Sequence, residues 1–435
     1  MEKFDLVILG GGVSGACAAY AAASKSRDSK KRLSVALISD EEAIYSRGAL
    51  PSLIAREISS LKEISVYPVS QLRRLGVNFY KRHEILSVDF GEKSVSIKNL
   101  ENERKTEVAF KKLIIATGSL PKVPPVKGAN LKGVYTVKWF KDAKELSKKA
   151  KPKMKALVVG AGLIGMETAY ALRKLNLDVT LIEMLPNILS GVLEPRLSSY
   201  VKAKAESMGV KVRVNCTLDG IEGKRKVEAA VLNGEKAAFD FVVFCVGVKP
   251  NTKIFAESDL NVAEYGAIKI DSQMRTSVED VYAIGDCAEK IDFITKRPVH
   301  RPLGSLATRT AEIAGINALG ANVEFEGSIR HQYDYVFGTH ISSMGLSSTE
   351  ASSLGLSTET IDVKLSRNSA FYQEPLKIPL GTKMCTIINK KDDRIVGWQS
   401  VGPSRLVSFY NVFIDEIIRK GGSVKDIQEA GLEVS

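Results

Sequence analysis

The sequence predicts an α/β fold in which two β-α-β units are followed by a smaller α+β domain, and three observations predict it. A run of strand formers, Phe4-Asp5-Leu6-Val7-Ile8-Leu9, leads without a break into Gly10-Gly11-Gly12-Val13-Ser14-Gly15. The same arrangement recurs at Lys155–Val159, followed by Gly160-Ala161-Gly162-Leu163-Ile164-Gly165. A further apolar strand, Val281-Tyr282-Ala283-Ile284, ends on Gly285-Asp286. Strand, glycine turn and helix in that order mark a β-α-β unit, and two such units are far more specific than one.

In the first unit an alanine-rich helix is expected over residues 16 to 24, a polar loop over 25 to 32 and a second strand over 33 to 39. In the second unit the helix is expected over 166 to 175 and the second strand over 178 to 183. The glycines have separate tasks. Gly10 and Gly160 allow the tight turn, Gly12 and Gly162 let the backbone approach a pyrophosphate, and Gly15 and Gly165 let helix pack on strand. The helix N-terminus then presents N–H groups and a positive dipole end to phosphates. The two units therefore read as Rossmann-like dinucleotide-binding domains. Glu183 closes the second strand of the second unit, 23 residues after Gly160. A carboxylate there accepts hydrogen bonds from ribose hydroxyls and repels a 2′-phosphate, so NADH is expected over NADPH. The equivalent position in the first unit is Ser39, and its neighbour Asp40 is the candidate ribose ligand.

Two more strands end in small-residue turns: Leu113-Ile114-Ile115-Ala116-Thr117-Gly118, and Val242-Val243-Phe244-Cys245-Val246-Gly247. Asp286 is placed to bind a hydroxylated cofactor chain, or to cap a helix beginning at Cys287. These motifs set the expected domains. The first dinucleotide domain is split between residues 1–121 and 247–327, the second fills 122–246, and an α+β domain follows over 328–435. A helix is expected in that last domain over residues 406 to 419.

Composition narrows the function classes. Hydrophobic residues at 44% and charged residues at 26% suit a soluble globular protein. No apolar run reaches the roughly 18 residues of a membrane helix, so membrane insertion is not expected. The apolar start and alanine tract could pass for a signal peptide, but Gly10, Gly11, Gly12, Ser14 and Gly15 interrupt them, and a cytoplasmic protein is expected. The five cysteines are scattered with no Cys-x-x-Cys pair and the four histidines are far apart, which points to reduced thiols and no metal site. The net charge of +12 favours acidic partners. The basic residues are spread along the chain and no aromatic–basic module accompanies them, so nucleic acid is not expected.

On these motifs the chain resembles the pyridine nucleotide–disulfide oxidoreductases, flavoproteins with two dinucleotide folds, over nearly its whole length. The resemblance implies that FAD pyrophosphate sits at Gly10 to Gly15. It matches Ala116-Thr117-Gly118 to the family's Ala-Thr-Gly turn, and Ile284-Gly285-Asp286 to the second FAD signature, whose aspartate binds the ribityl chain. It puts NADH at Gly160 to Gly165, with Gly247 at the end of a similar turn, and makes Glu167 the glutamate that lies near the nicotinamide and flavin N5. Within the family, coenzyme A-disulfide reductases and NADH oxidases resemble the stretch Tyr45-Ser46-Arg47-Gly48-Ala49-Leu50-Pro51, but they carry a redox cysteine where this chain has Gly48. Arg47 is then expected either to face the flavin and stabilise its reduced ring, or to be an ordinary surface arginine. Gly397-Trp398-Gln399-Ser400-Val401-Gly402 resembles a motif of the family's dimerisation domain and implies a homodimer. Tyr372 resembles a tyrosine that faces the partner subunit's active site in the coenzyme A group. Val13 stands where peroxidase members carry histidine. The function this implies is transfer of hydride from NADH to FAD, then of electrons to a small-molecule acceptor or an acidic electron-carrier protein. The alternatives are a coenzyme A-disulfide reductase-like protein with altered chemistry, or a flavoprotein subunit or redox sensor.

Overall fold

The computed structural model describes residues 1–28, 33–365 and 381–434. The elements that position the site are, in chain order, β1 (Glu2–Leu9), α1 (Val13–Asp28), β2 (Val35–Ile38), β3 (Lys155–Val159), α2 (Leu163–Lys174), β4 (Asp178–Ile182), α3 (Gly304–Asn317) and β5 (His331–Val336). The chain divides into two compact units. One comprises Met1–Ala49, Ile58–Leu120 and Val248–Ser328, and the other Leu50–Glu57, Pro121–Gly247 and Ile329–Ser435.

In the first unit β1 is the centre of a sheet. It pairs in parallel with β2 on one side and with Lys105–Ile115 on the other. Val77–Tyr80 extends the sheet beyond β2, while Val281–Ala283 pairs in parallel with Lys105–Ile115. Val7, Ile8 and Leu9 are wholly buried, as are all four residues of β2. Parallel strands covered on both faces need continuous apolar runs, which is why these segments do not alternate. The alanines of α1 allow a close approach by α3: a Cβ added at Gly315 would lie 2.7 Å from the Ala18 carbonyl oxygen.

The second unit repeats the plan. Its five-stranded parallel sheet runs Lys211–Arg213, β4, β3, Phe241–Phe244, Val134–Thr136. The same unit carries a six-stranded sheet in which β5, Thr339–Gly345, Ile395–Gly402, Lys383–Asn389, Thr358–Leu365 and Leu432–Val434 are antiparallel neighbours. The helix Asn411–Lys420 packs on this sheet through Ile414, Ile417 and Ile418, giving the α+β part. The α/β class expected from the sequence is the observed one.

Helix α1 runs to Asp28, four residues into the expected polar loop, and three other boundaries differ from expectation, for local reasons. Helices α1 and α2 begin three residues early, at Val13 and Leu163, because the last residues of each glycine turn already form the first helical turn. The single helix expected over 406 to 419 is instead a short 3-10 turn, Arg405–Ser408, followed by Asn411–Lys420. Between them the buried Tyr410 packs against Trp398, with ring centroids 5.7 Å apart.

Candidate functional site

The first glycine turn shows which glycine does what. Gly10 has φ +112°, and a Cβ there would lie 2.2 Å from the Ala116 carbonyl oxygen. A Cβ at Gly15 would lie 1.9 Å from the Gly10 carbonyl oxygen. Packing alone therefore excludes a side chain at both. A Cβ at Gly12 meets no protein atom within 4 Å. No protein contact requires glycine at that position, and the bare backbone at the start of α1 faces open space.

The other first-unit motifs converge on this turn. Ala116 lies against Gly10, and Gly118 follows with φ +70°. Between them Thr117 donates its hydroxyl to the Asn251 carbonyl at 2.7 Å, and Asn251 returns a side-chain hydrogen bond to the Thr117 carbonyl at 3.3 Å. Gly285 has φ +69°, and a Cβ there would lie 2.4 Å from the Ser14 hydroxyl. Asp286, next to it, does not cap a helix. Its carboxylate accepts from the Ser119 hydroxyl at 2.6 Å. Beneath this turn the fully buried Lys290 donates its ammonium to the Gly285 and Ala288 carbonyls, and burial holds its pKa below the usual lysine range. Ser39 abuts the turn, since a Cβ at Gly11 would lie 2.4 Å from its Cβ. Asp40, one residue on, is exposed.

The second turn repeats the pattern. Gly160 has φ +96°, and its added Cβ would lie 2.7 Å from the Cys245 carbonyl oxygen; that of Gly165 would lie 1.9 Å from the Gly160 carbonyl oxygen; that of Gly162 meets nothing. Glu183 follows β4 and is tied to the turn itself: one carboxylate oxygen accepts from the Ala161 N–H at 2.8 Å, the other from the Leu185 N–H at 3.1 Å. Gly247 has φ +91°, and a Cβ there would meet no protein atom within 4 Å. Glu167 lies on α2, close enough to Asp334 of β5 for the two carboxyls to shift each other's titration. Burial, then the neighbouring Asp334 carboxyl, push Glu167 up to about 8, and burial raises Asp334 to about 6.

Arg47 and Gly48 belong to the 3-10 turn Arg47–Ala49 of the first unit. The Arg47 guanidinium lies 5.8 Å from the centroid of the Tyr45 ring. A Cβ at Gly48 would meet only the Ser46 hydroxyl, at 3.9 Å. Tyr372 lies outside the described residues.

Both glycine turns fit a dinucleotide. Each joins an unobstructed middle glycine to a helix of at least twelve residues, with hydroxyl or carboxylate acceptors at the edge. Comparison with known proteins agrees. Residues 4–300 match the family model for pyridine nucleotide-disulphide oxidoreductases. The chain is 30% identical to an NADH oxidase of Methanocaldococcus jannaschii over 419 residues, 95% of this chain and 91% of that protein.

The chain belongs to the pyridine nucleotide-disulphide oxidoreductase family.

It is an FAD-dependent oxidoreductase that works with a pyridine nucleotide. A second relative in the family, an NAD(P)H sulfur oxidoreductase (CoA-dependent) of Pyrococcus abyssi, is 29% identical, covering 92% of this chain and 87% of that one. Among solved structures, an NAD-dependent persulfide reductase from A. fulgidus superposes with a TM-score of 0.88 at 27% identity, over 97% of this chain and 77% of that chain. No helix among the described residues is long and apolar enough to cross a membrane.

Four residues of the site region were not legible in the sequence: Ser119, Asn251, Lys290 and Asp334. Ser119, Asn251 and Asp334 act through partners distant in the chain, and Lys290 through carbonyls of the turn just before it, which its burial alone brings into play.

Proposed function

We propose that the protein takes hydride from NADH onto FAD and passes the electrons from the reduced flavin to an acceptor without a redox cysteine. The observation that carries this reading is the pair of dinucleotide cradles in one chain that has glycine at position 48. Bound flavin supplies the redox chemistry, and the protein binds, orients and tunes it. The N–H groups at the start of α1 hold the FAD pyrophosphate, with Gly12 giving the approach. Asp286, steadied by Ser119, accepts from the ribityl hydroxyls. Ala116, Thr117 and Gly118 form the floor of that site, and Asp40 reaches the FAD ribose. Gly160, Gly162 and Gly165 hold the NADH pyrophosphate, Glu183 its ribose, and Gly247 leaves room beside it. Glu167 lines the nicotinamide, and Arg47 stabilises negative charge on the reduced ring. Tyr372 completes the site of the partner subunit in a homodimer formed through residues 328–435. The flavin domain spans 1–121 and 247–327, and the nucleotide domain 122–246. Five free cysteines suit the reducing cytoplasm.

Glu183 supports NADH over NADPH, because its carboxylate is fixed at the turn where a 2′-phosphate would bring a second negative charge. Anaerobic titration of the yellow protein with NADH tests the reading. Bleaching of flavin absorbance complete at one NADH per flavin is expected; a requirement for further reducing equivalents would reveal another redox centre and overturn it.

The sulfur-directed names of two relatives favour a second reading, a thiol- or persulfide-linked reductase with altered chemistry. A Cβ at Gly48 meets only the Ser46 hydroxyl, at 3.9 Å, which supports restoring a cysteine there. Gly48→Cys is expected to fold normally and, on this second reading alone, to gain coenzyme A-disulfide reductase activity.

A further inference from the structure

Every carbonyl from Ile284 to Ala288 accepts a hydrogen bond from within the first unit. The Cys287 thiol donates to Ile284 at 3.1 Å, His300 Nε2 to Asp286 at 2.9 Å, and the Ile268 N–H to Cys287 at 2.9 Å. The Gly285 and Ala288 carbonyls both accept from the Lys290 ammonium, the second at 2.9 Å. A neutral donor would satisfy those two carbonyls equally well, so the charge of Lys290 calls for its own explanation. Burying a charge is unfavourable unless an opposite charge answers it. Lys290 is only 1% exposed and forms no ion pair among the described residues. The charged groups around it have other partners. Asp292 is paired with Arg301 at 2.6 Å, Glu289 accepts from the Tyr265 hydroxyl, and the Asp286 carboxylate accepts from the Ser119 hydroxyl. Burial disfavours the Lys290 ammonium, and the nearby charge of Asp286 favours it. The same turn abuts the start of α1. A Cβ at Gly285 would lie 2.4 Å from the hydroxyl of Ser14, in the first turn of that helix. The segment Gly10–Gly15 itself has no basic residue. A pyrophosphate drawn to the start of α1 and the Asp286 carboxylate would therefore repel each other in one site.

We propose that Lys290 is the buried counter-charge of the FAD pyrophosphate, and that it offsets the Asp286 carboxylate so that one site holds both anions. This rests on the reading that places the pyrophosphate at the start of α1. Lys290 reaches the cofactor through its field, from behind the Gly285 carbonyl, and touches no part of it that reacts. Its charge acts on any ligand that brings a pyrophosphate to this turn, whether or not a flavin is attached. A lysine that only braced the turn would act instead through the placing of Asp286, and so only on a ligand with a ribityl chain.

The test uses the full-length holoenzyme, and the same chain stripped of flavin, as wild type, Lys290→Met and Lys290→Gln. Glutamine keeps a donor for the turn and removes the charge. Flavin fluorescence follows FAD retention on dilution, and rebinding of FAD to the stripped chain with ADP as competitor. ADP has the pyrophosphate and lacks the ribityl chain. Both variants are expected to weaken FAD and ADP by the same factor, about tenfold, the effect of one buried charge across a partly screened site. The factor should persist in high salt, which screens a buried charge little. FAD weakened with ADP unchanged overturns the counter-charge, because Lys290 then only shapes the turn beneath Asp286. Wild-type affinities in Lys290→Gln also overturn it, because hydrogen bonds then suffice, as do unchanged affinities in Lys290→Met or a loss that vanishes in high salt. A variant that does not rebind flavin after stripping is judged on its holoenzyme. Faster FAD loss on dilution at unchanged circular dichroism is expected there, and wild-type retention overturns the proposal. Wild-type protein in which ADP fails to compete with FAD would overturn the placing of the pyrophosphate at α1, and the proposal with it.

Discussion

Gly162 and Gly165 stand three residues apart and have opposite constraints. A methyl group at Gly165 would collide with the Gly160 carbonyl, whereas one at Gly162 enters open space. Gly165→Ala should therefore destabilise the second unit by about 1–3 kcal/mol or prevent its folding, as overpacking does. Gly162→Ala should leave the melting temperature unchanged and weaken NAD⁺ binding by about tenfold, the equivalent of about 1.4 kcal/mol. Melting curves and nucleotide titrations of the two variants together check this, and equal loss of stability in both would sink the division of labour. At this scale the sequence was most readable where the cause is local. The roles of Gly10, Gly15, Gly160 and Gly165 follow from a chain that must turn from strand to helix within a few residues. Asp334 could not be read, because its meeting with Glu167 is made by tertiary packing between segments distant in the chain.

The packing of α2 on β5 gives the molecule a pH-dependent element. The folded Glu167 binds its proton up to about pH 8, against 4.5 for the ordinary group. The folded state thus holds a proton that the unfolded state has already lost, and stability falls as pH rises through that interval. It is fully present below about pH 4.5 and levels off above about pH 8. Thermal melts across this range should show the decline, and Glu167→Gln should flatten it. A melting temperature that rises between those limits in the wild type and is unaltered by the substitution would contradict the account. Secondary structure was legible because buried parallel strands such as β1 and β2 have unbroken apolar runs. The helix starts at Val13 and Leu163 were misplaced because the glycine turns contribute to the first helical turn. The helix expected from residue 406 is divided into Arg405–Ser408 and Asn411–Lys420, a break that the apolar periodicity of the segment does not register.

For the molecule as a whole, the net charge of +12 separates the two kinds of acceptor. With an acidic electron-carrier protein, the rate should fall several-fold when salt is raised past physiological strength, because screening shortens the range of steering. With a neutral small molecule the rate should not respond. Stopped-flow oxidation of the reduced flavin against salt makes the comparison, and a salt-insensitive rate with an acidic carrier would exclude steering. The two-cradle architecture was legible from sequence because each cradle is a contiguous motif repeated once. The attachment of residues 50–57 to the second compact unit was not, since nothing in Leu50-Pro51-Ser52-Leu53-Ile54 distinguishes one apolar neighbour from another. The backbone around Gly48, finally, sets a genetic distance. Glycine codons ending in a pyrimidine become cysteine codons by a single base change, and a Cβ here would meet only the Ser46 hydroxyl, at 3.9 Å. A lineage carrying this scaffold can therefore gain or lose that thiol in one point mutation, and the backbone at this position admits the side chain's first carbon.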